Sequence, residues 1–196
     1  LDLYQVDAFA KEVFKGNPAA VVPLDQWLSP QNMQSIAQEN NLSETAFFCP
    51  NGKHYNIRWF TPNREVELCG HATMAAAFVV FNFIDNNKDK VMFKSLSGDL
   101  VVQKSGDLLK MDFPAQNPTK CELPRMLVNG LGAKPEACYL NEDYLAVFKS
   151  EEDLRLIKPD FKILSMLDSR GVIITAPGNK YDFVSRAFFP KYGILE

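Results

Sequence analysis

Three side chains in the first half of the chain have the chemistry to move protons: the carboxylate of Glu44, the thiol of Cys69 and the imidazole of His71. Cys69 and His71 flank a glycine just ahead of a run, residues 72–84, that contains no charged side chain. A helix that is apolar on every side is buried, and about 13 residues are too few for a membrane span, which needs about 20. The sequence therefore predicts a central helix over about residues 71–84, with no solvated face and with a polar first turn facing a sheltered pocket.

The first turn of this predicted helix is a candidate anion site. The first N–H groups of a helix lack intrahelical acceptors and lie at the positive end of the helix dipole, so carboxylates and phosphates bind there. We expect a substrate carboxylate to dock on the amides from Gly70 to Ala72, with Gly70 allowing close approach to the backbone. The same position predicts a lowered pKa for the Cys69 thiol, although a small buried side chain without a chemical role fits Cys69 equally well.

Glu44 lies between a polar loop and an apolar strand segment, residues 46–48. A carboxylate held against apolar neighbours has a raised pKa and can both take and give a proton near neutral pH; a capping carboxylate at the entry to a strand is the alternative. His71 could hydrogen-bond a substrate, or could be a half-buried histidine satisfied by a backbone carbonyl. Asn17, in the turn Gly16-Asn17-Pro18, could contact substrate or simply form an Asx-type turn.

The composition excludes several classes of function. The chain has 196 residues, enough for one large or two small domains, and a net charge of -3, so nucleic acid is not an expected partner. The N-terminus lacks the pattern of a signal peptide. It begins with leucine rather than methionine, so we expect preceding residues. Four cysteines are scattered without a C-x-x-C pair, which favours a metal-free protein in a reducing compartment, the cytoplasm.

Apolar patterning predicts the elements that must position these side chains. Strands are expected over residues 1–9, 19–24, 42–48, 55–60, 91–94, 100–103, 108–113, 144–148, 171–175 and 183–188, and further helices over residues 30–40, 124–131 and 151–157. Ser29-Pro30 is a helix start, with a capping serine ahead of proline at the first helical position. The proline-rich residues 114–118 predict a boundary between a first domain, residues 1–113, and a second domain, residues 119–196.

An internal repeat indicates that the two halves share one plan. The pattern R-x-F-x-P occurs at residues 58–62 and 186–190, and each copy follows a similar turn, Pro-Asn-Gly-Lys at 50–53 and Pro-Gly-Asn-Lys at 177–180. A repeated pair such as Arg58 and Arg186 is expected to be structural rather than catalytic. Cys69 follows Pro62 by seven residues, and the corresponding step from Pro190 leads to position 197. We therefore expect the second lobe to be incomplete, ending before a central helix of its own.

Four motifs in order resemble the phenazine-biosynthesis-like (PhzF) family of the diaminopimelate epimerase-like superfamily: residues 16–21 (GNPAAV), 41–47 (NLSETAF), 58–62 (RWFTP) and 68–73 (LCGHAT). The resemblance implies an α+β fold of two pseudo-symmetric lobes, each a curved, mostly antiparallel sheet around a central helix. It also implies a homodimer with an active site between the lobes. Glu44 and His71 match the family's glutamate and helix-start histidine, and an aspartate and a serine are expected in a motif beginning at position 197.

The activity implied by this resemblance is a cofactor-independent isomerisation that moves a proton on a small carboxylate-bearing substrate. Glu44 and His71 would be catalytic, and Asn17, Cys69, Gly70 and Ala72 would contact the substrate. Two alternatives stay open: a racemase or epimerase that uses Cys69 as its base, and a non-catalytic, partner-binding protein of the same fold, since fold does not fix function.

Overall fold

A computed structural model describes residues 1–113 and 115–196. The chain forms two compact units, Leu1–Pro114 and Ala115–Glu196, each described here by itself. Of the boundary segment predicted at residues 114–118, Pro114 lies outside the described residues. Within the described residues, no helix is both long and apolar enough to cross a membrane.

The first unit is one curved sheet wrapped around a helix. Its elements are β1 (Tyr4–Ala8), β2 (Asn17–Pro23), α1 (Pro30–Asn40), β3 (Glu44–Asn51), β4 (His54–Phe60), β5 (Glu65–Val66), α2 (Gly70–Val79), β6 (Lys90–Ser95), β7 (Gly98–Ser105) and β8 (Leu108–Met111). The strand order is β1-β2-β3-β4-β6-β7-β8, with β5 paired to β4. Each strand that the sequence predicted in this unit is confirmed, and its observed ends lie within three residues of the predicted ones.

The central helix α2 has four alanines among its ten residues, and these small side chains let it approach the sheet closely. It contacts strands from both ends of the sheet, β1, β2 and β3 on one side and β8 on the other, so the sheet curls around it. Ala72, Ala76 and Ala77 are fully buried there, against large side chains that include Trp59 and Phe93. The predicted core helix is therefore present at the expected place.

The expectation that this helix has no solvated face is wrong at its C-terminal half. The α-helix ends at Val79, and one π-helical turn, Val80–Ile84, continues it. Phe78 and Phe83 are 42% and 58% exposed in this unit. Their rings pack on each other with centroids 6.3 Å apart, and Phe83 also packs on Tyr4 at 5.0 Å. The sheet covers only part of the helix circumference, so apolar composition alone did not determine burial here.

Helix α1 packs on the other side of the sheet. Ser29 caps it as predicted, because its side chain accepts a hydrogen bond from the Asn32 N–H, and Pro30 is the first helical residue. Met33 and Ala37 are fully buried beside Phe47 and Phe60, whose rings meet edge to face. The sheet is thus covered on both faces around β3, which holds that strand in place.

The second unit is a five-stranded sheet with short helices packed on it. Its elements are β9 (Thr119–Lys120), α3 (Arg125–Leu131), β10 (Ala137–Leu140), β11 (Tyr144–Val147), α4 (Glu151–Leu156), α5 (Phe161–Leu164), β12 (Val172–Pro177) and β13 (Phe183–Phe188). The strand order is β13-β12-β11-β10-β9, and only β11 and β12 pair in parallel. The sequence predicted β11, β12, β13, α3 and α4, and missed β9, β10 and α5, which have four residues or fewer.

The internal repeat is visible in matching side-chain contacts. Arg58 makes two hydrogen bonds to Glu65, at 2.6 and 2.7 Å, and its guanidinium lies 5.3 Å from the Phe60 ring. Arg186 makes the same pair of bonds to Glu196, at 2.6 and 2.8 Å, with the Phe188 ring at 5.2 Å. Each arginine therefore stabilises its own strand through an ion pair and a ring contact, which supports a structural role for both.

Candidate functional site

The site residues meet at one end of the first unit because β2 and β3 run parallel. Ala19 pairs with Glu44 in this register, so the turn ahead of β2 lies beside the loop ahead of β3. The amino end of α2 lies at the same place, with extended Cys69 as its N-cap residue. Thr73 fixes this end, since its hydroxyl donates a 2.5 Å hydrogen bond to the Cys69 carbonyl.

Glu44 and His71 form a close, sheltered pair. Oε2 of Glu44 lies 3.4 Å from Nε2 of His71, and the side chains are only 11% and 10% exposed. Within the described residues, Glu44 Oε2 has no hydrogen-bond partner although it is buried. A buried charged oxygen without a partner is costly, and such groups are found where a ligand or a reaction uses them.

Several groups act on the protonation of His71. Its Nε2 lies 3.3 Å from the Ser43 hydroxyl, and the Pro18 carbonyl is near enough to favour the protonated ring. Burial lowers the pKa of His71 below its ordinary 6.5, more than the Glu44 carboxylate and the Pro18 carbonyl raise it. The imidazole is therefore neutral at pH 7, with one nitrogen as donor and the other as acceptor. A neutral ring beside a carboxylate can pass or orient a proton.

Cys69 behaves differently from the sequence expectation. Its Sγ lies 3.5 Å from Nδ1 of His71. Burial and the nearby Glu44 carboxylate raise the pKa of the Cys69 thiol well above its ordinary value, against the lowering effect of the Ala72 and His71 N–H groups. The prediction of a thiolate-rich cysteine was wrong, because desolvation and a neighbouring negative charge outweigh the helix dipole.

The other predicted contact residues surround this core of the site. Ala72 is fully buried, Gly70 is partly exposed and Asn17 is exposed at the first position of β2. A Cβ on Gly70 would lie 3.3 Å from Cζ of Phe113, so this aromatic ring borders the helix start. Ser43 and Phe113 also border the site, although neither was predicted from the sequence. Ser43 stood inside a recognised motif, whereas Phe113 is brought in by the return of the chain after β8.

The same three side chains carry the donor atoms of a metal-binding set. One donor atom each from Glu44, Cys69 and His71 lie within 4.8 Å of one another, and carboxylate, thiolate and imidazole are all zinc ligands. Two features oppose a cation here. His71 directs Nε2 to Glu44 and Nδ1 to Cys69, and the positive end of the α2 dipole repels positive charge.

The fold is shared with a solved structure of low sequence identity. A crystal structure described as a predicted epimerase from Pseudomonas aeruginosa superimposes with a TM-score of 0.65 over 88% of this chain and 68% of its own, at 19% identity. The molecule is thus an α+β protein with two sheets, the second smaller, and the predicted fold class is confirmed.

Relatives of higher sequence identity identify the family. The model of phenazine biosynthesis-like proteins (PhzC-PhzF) matches residues 6–196. A PhzF-family structure from Enterococcus faecalis is 50% identical, with a TM-score of 0.93 over 99% of this chain and 75% of its own. An uncharacterized isomerase of Pseudomonas aeruginosa is 47% identical over the whole chain and 76% of its own length. The chain belongs to the phenazine biosynthesis-like family.

Proposed function

We propose that this protein is an isomerase that moves a proton on a small carboxylate-bearing substrate, with Glu44 as the general acid and base. The observation that carries the proposal is the buried, unpartnered Oε2 of Glu44, 3.4 Å from a neutral imidazole at the amino end of α2. General acid–base catalysis needs such a carboxylate within reach of the proton that it abstracts. The relatives named as isomerases support the reaction class.

In this proposal the substrate carboxylate binds at the amides at the start of α2, from Gly70 to Ala72, where the dipole favours negative charge. Glu44 Oε2 takes a proton from a substrate carbon and returns it to another position, so the enzyme ends unchanged. His71 orients or relays that proton together with the Ser43 hydroxyl. Asn17, at the start of β2, is a further contact. Catalysis without a cofactor, a homodimeric state and a cytoplasmic location remain predictions from the sequence.

The protonation state of Cys69 favours glutamate chemistry over the cysteine alternative. A cysteine-dependent racemase needs a thiolate as its base. The raised pKa of the Cys69 thiol keeps it protonated at neutral pH, and the Glu44 carboxylate itself contributes to that rise. With Glu44 beside it, the buried thiol fits better as a neutral neighbour than as the base.

The test is proton exchange in deuterated water. A dihydro-anthranilate-type cyclic acid probes the proposed reaction, and L-proline and trans-4-hydroxy-L-proline probe the cysteine alternative, each followed by NMR. We expect deuterium to enter the cyclic acid, and Glu44→Gln to lower its rate at least about 100-fold. Glu39→Gln, which changes an exposed carboxylate on α1, is the matched control and should keep the full rate.

Three results would contradict the proposal. Undiminished exchange in Glu44→Gln would remove the glutamate from the mechanism, and exchange of the imino acids that is lost in Cys69→Ala would establish the cysteine reaction. The non-catalytic alternative would be favoured if the protein is folded, binds none of the three probes and introduces no deuterium into any of them.

A further inference from the structure

Two of the four cysteines meet in the second unit although they are scattered in the sequence. Cys121 directly follows β9, and Cys138 lies in β10, 17 residues further on. The register that pairs Lys120 with Tyr139 continues by one residue, since the Cys121 N–H donates a 3.0 Å hydrogen bond to the Cys138 carbonyl. The two side chains are thus cross-strand neighbours, and their sulfur atoms lie 3.4 Å apart.

The two thiols differ in access to solvent. Cys138 is 3% exposed and belongs to the core of the second unit, whereas Cys121 is half-buried at the margin of that core. Burial and the adjacent Cys121 thiol raise the pKa of Cys138 to about 12. Cys121 is therefore the sulfur that a reagent in solution reaches first, and Cys138 is the protonated partner behind it.

We propose that Cys121 and Cys138 form a dithiol site that closes to a disulfide when it meets a low-molecular-weight disulfide such as oxidised glutathione. Cys121, as thiolate, attacks one glutathione sulfur, which breaks the glutathione S–S bond, forms a mixed disulfide and releases one glutathione thiolate. The Cys138 sulfur then attacks the Cys121 sulfur and displaces the second glutathione, which takes the Cys138 proton. Two protein thiols are oxidised, and one glutathione disulfide is reduced to two thiols.

The position of the pair gives closure a structural consequence. β9 has two residues and lies at the edge of its sheet, where it pairs only with β10 among the described strands. It follows the segment that joins the two units along the chain. A covalent bond just after β9 would fix this edge strand to β10, so the oxidised protein would keep the start of the second unit attached to its sheet.

The experiment uses oxidised glutathione on the purified protein, followed by denaturation, thiol counting and tryptic mapping. Trypsin cleavage after Lys120, Arg125 and Lys149 places the two cysteines in separate peptides, residues 121–125 and 126–149. We expect free thiols to fall from four to two, and these peptides to be recovered as one linked species that dithiothreitol separates. The map needs no variant, so it does not depend on a mutant that folds.

Two variants test which cysteines form the linked species. Cys121→Ser should abolish the linked species, while Cys49→Ser, which removes a buried cysteine of the first unit, should leave it intact. Four thiols remaining after treatment, a glutathione adduct that persists on Cys121, or a link between any other pair of cysteines would each overturn the proposal.

Discussion

Replacing Glu44 by glutamine should make the protein more stable while it removes the proposed base. Glu44 is 8% exposed, its Oε2 has no hydrogen-bond partner among the described residues, and the nearest imidazole is kept neutral by burial. A buried charged group in this state costs about 1–3 kcal/mol or more. Glutamine keeps the shape and removes the charge, so we expect a gain of about 1–3 kcal/mol in the free energy of unfolding at pH 7.

The assay is urea unfolding followed by tryptophan fluorescence. Both tryptophans, Trp27 and Trp59, lie in the first unit, and Trp59 is 1% exposed, so the signal reports the unit that contains the site. Glu39→Gln, on the exposed face of α1, should change stability by less than about 0.5 kcal/mol. A loss of more than about 1 kcal/mol in Glu44→Gln would refute the reasoning, because it would show that the carboxylate is a satisfied structural group, such as a cap or an ion-pair partner.

Three further predictions follow from the same structure. Because the pKa of His71 is lowered in the folded protein, the unfolded chain takes up a proton at this residue more readily as the pH falls below 6.5. The stability that the neutral imidazole contributes is therefore complete above pH 6.5 and is lost as the pH falls below it. The urea midpoint of His71→Gln should fall less steeply with decreasing pH than that of the unmodified protein. Iodoacetamide at pH 8 should alkylate Cys121 well before Cys69, because Cys69 is 7% exposed with a raised pKa; equal rates in a peptide map would contradict this. Arg58→Ala should lower the free energy of unfolding by about 1–2 kcal/mol and Arg186→Ala by about 2–3 kcal/mol, measured by circular dichroism. The larger effect is expected for Arg186 because it also donates to two backbone carbonyls that would lose their partner. The reverse order would argue against the repeat-based comparison.

Local signals were enough to predict much of the fold. Ser29 and Pro30 started α1 where a cap and a proline at the first helical position should, and the positive φ of Gly98 and Gly106 explains why the meander β6-β7-β8 turns at those glycines. The uncharged run at residues 72–84 predicted the central helix. The sequence analysis missed the short elements β5, β9, β10 and α5, because four residues or fewer carry no readable periodicity.

Long-range effects were not readable from local pattern. The direction of the Cys69 pKa depends on burial and on Glu44, which is 25 residues earlier in the chain, whereas the helix-terminus argument considered only the neighbouring residues. The exposure of Phe78 depends on how far the sheet curls. The meeting of Cys121 and Cys138 depends on a pairing between two strands that the sequence did not predict.

The site nevertheless follows from one topological feature, the parallel pairing of β2 with β3 beside the amino end of α2. This pairing brings a loop carbonyl, a carboxylate and a helix-start imidazole into a place where water is largely excluded. Burial there favours the neutral forms of His71 and Cys69, because desolvation dominates both of their pKa shifts. This is why the proposed base is Glu44 rather than His71 or Cys69: its Oε2 is buried and has no hydrogen-bond partner among the described residues. The proposed reaction needs no thiolate, and it would draw on the same burial that makes the carboxylate costly to the fold.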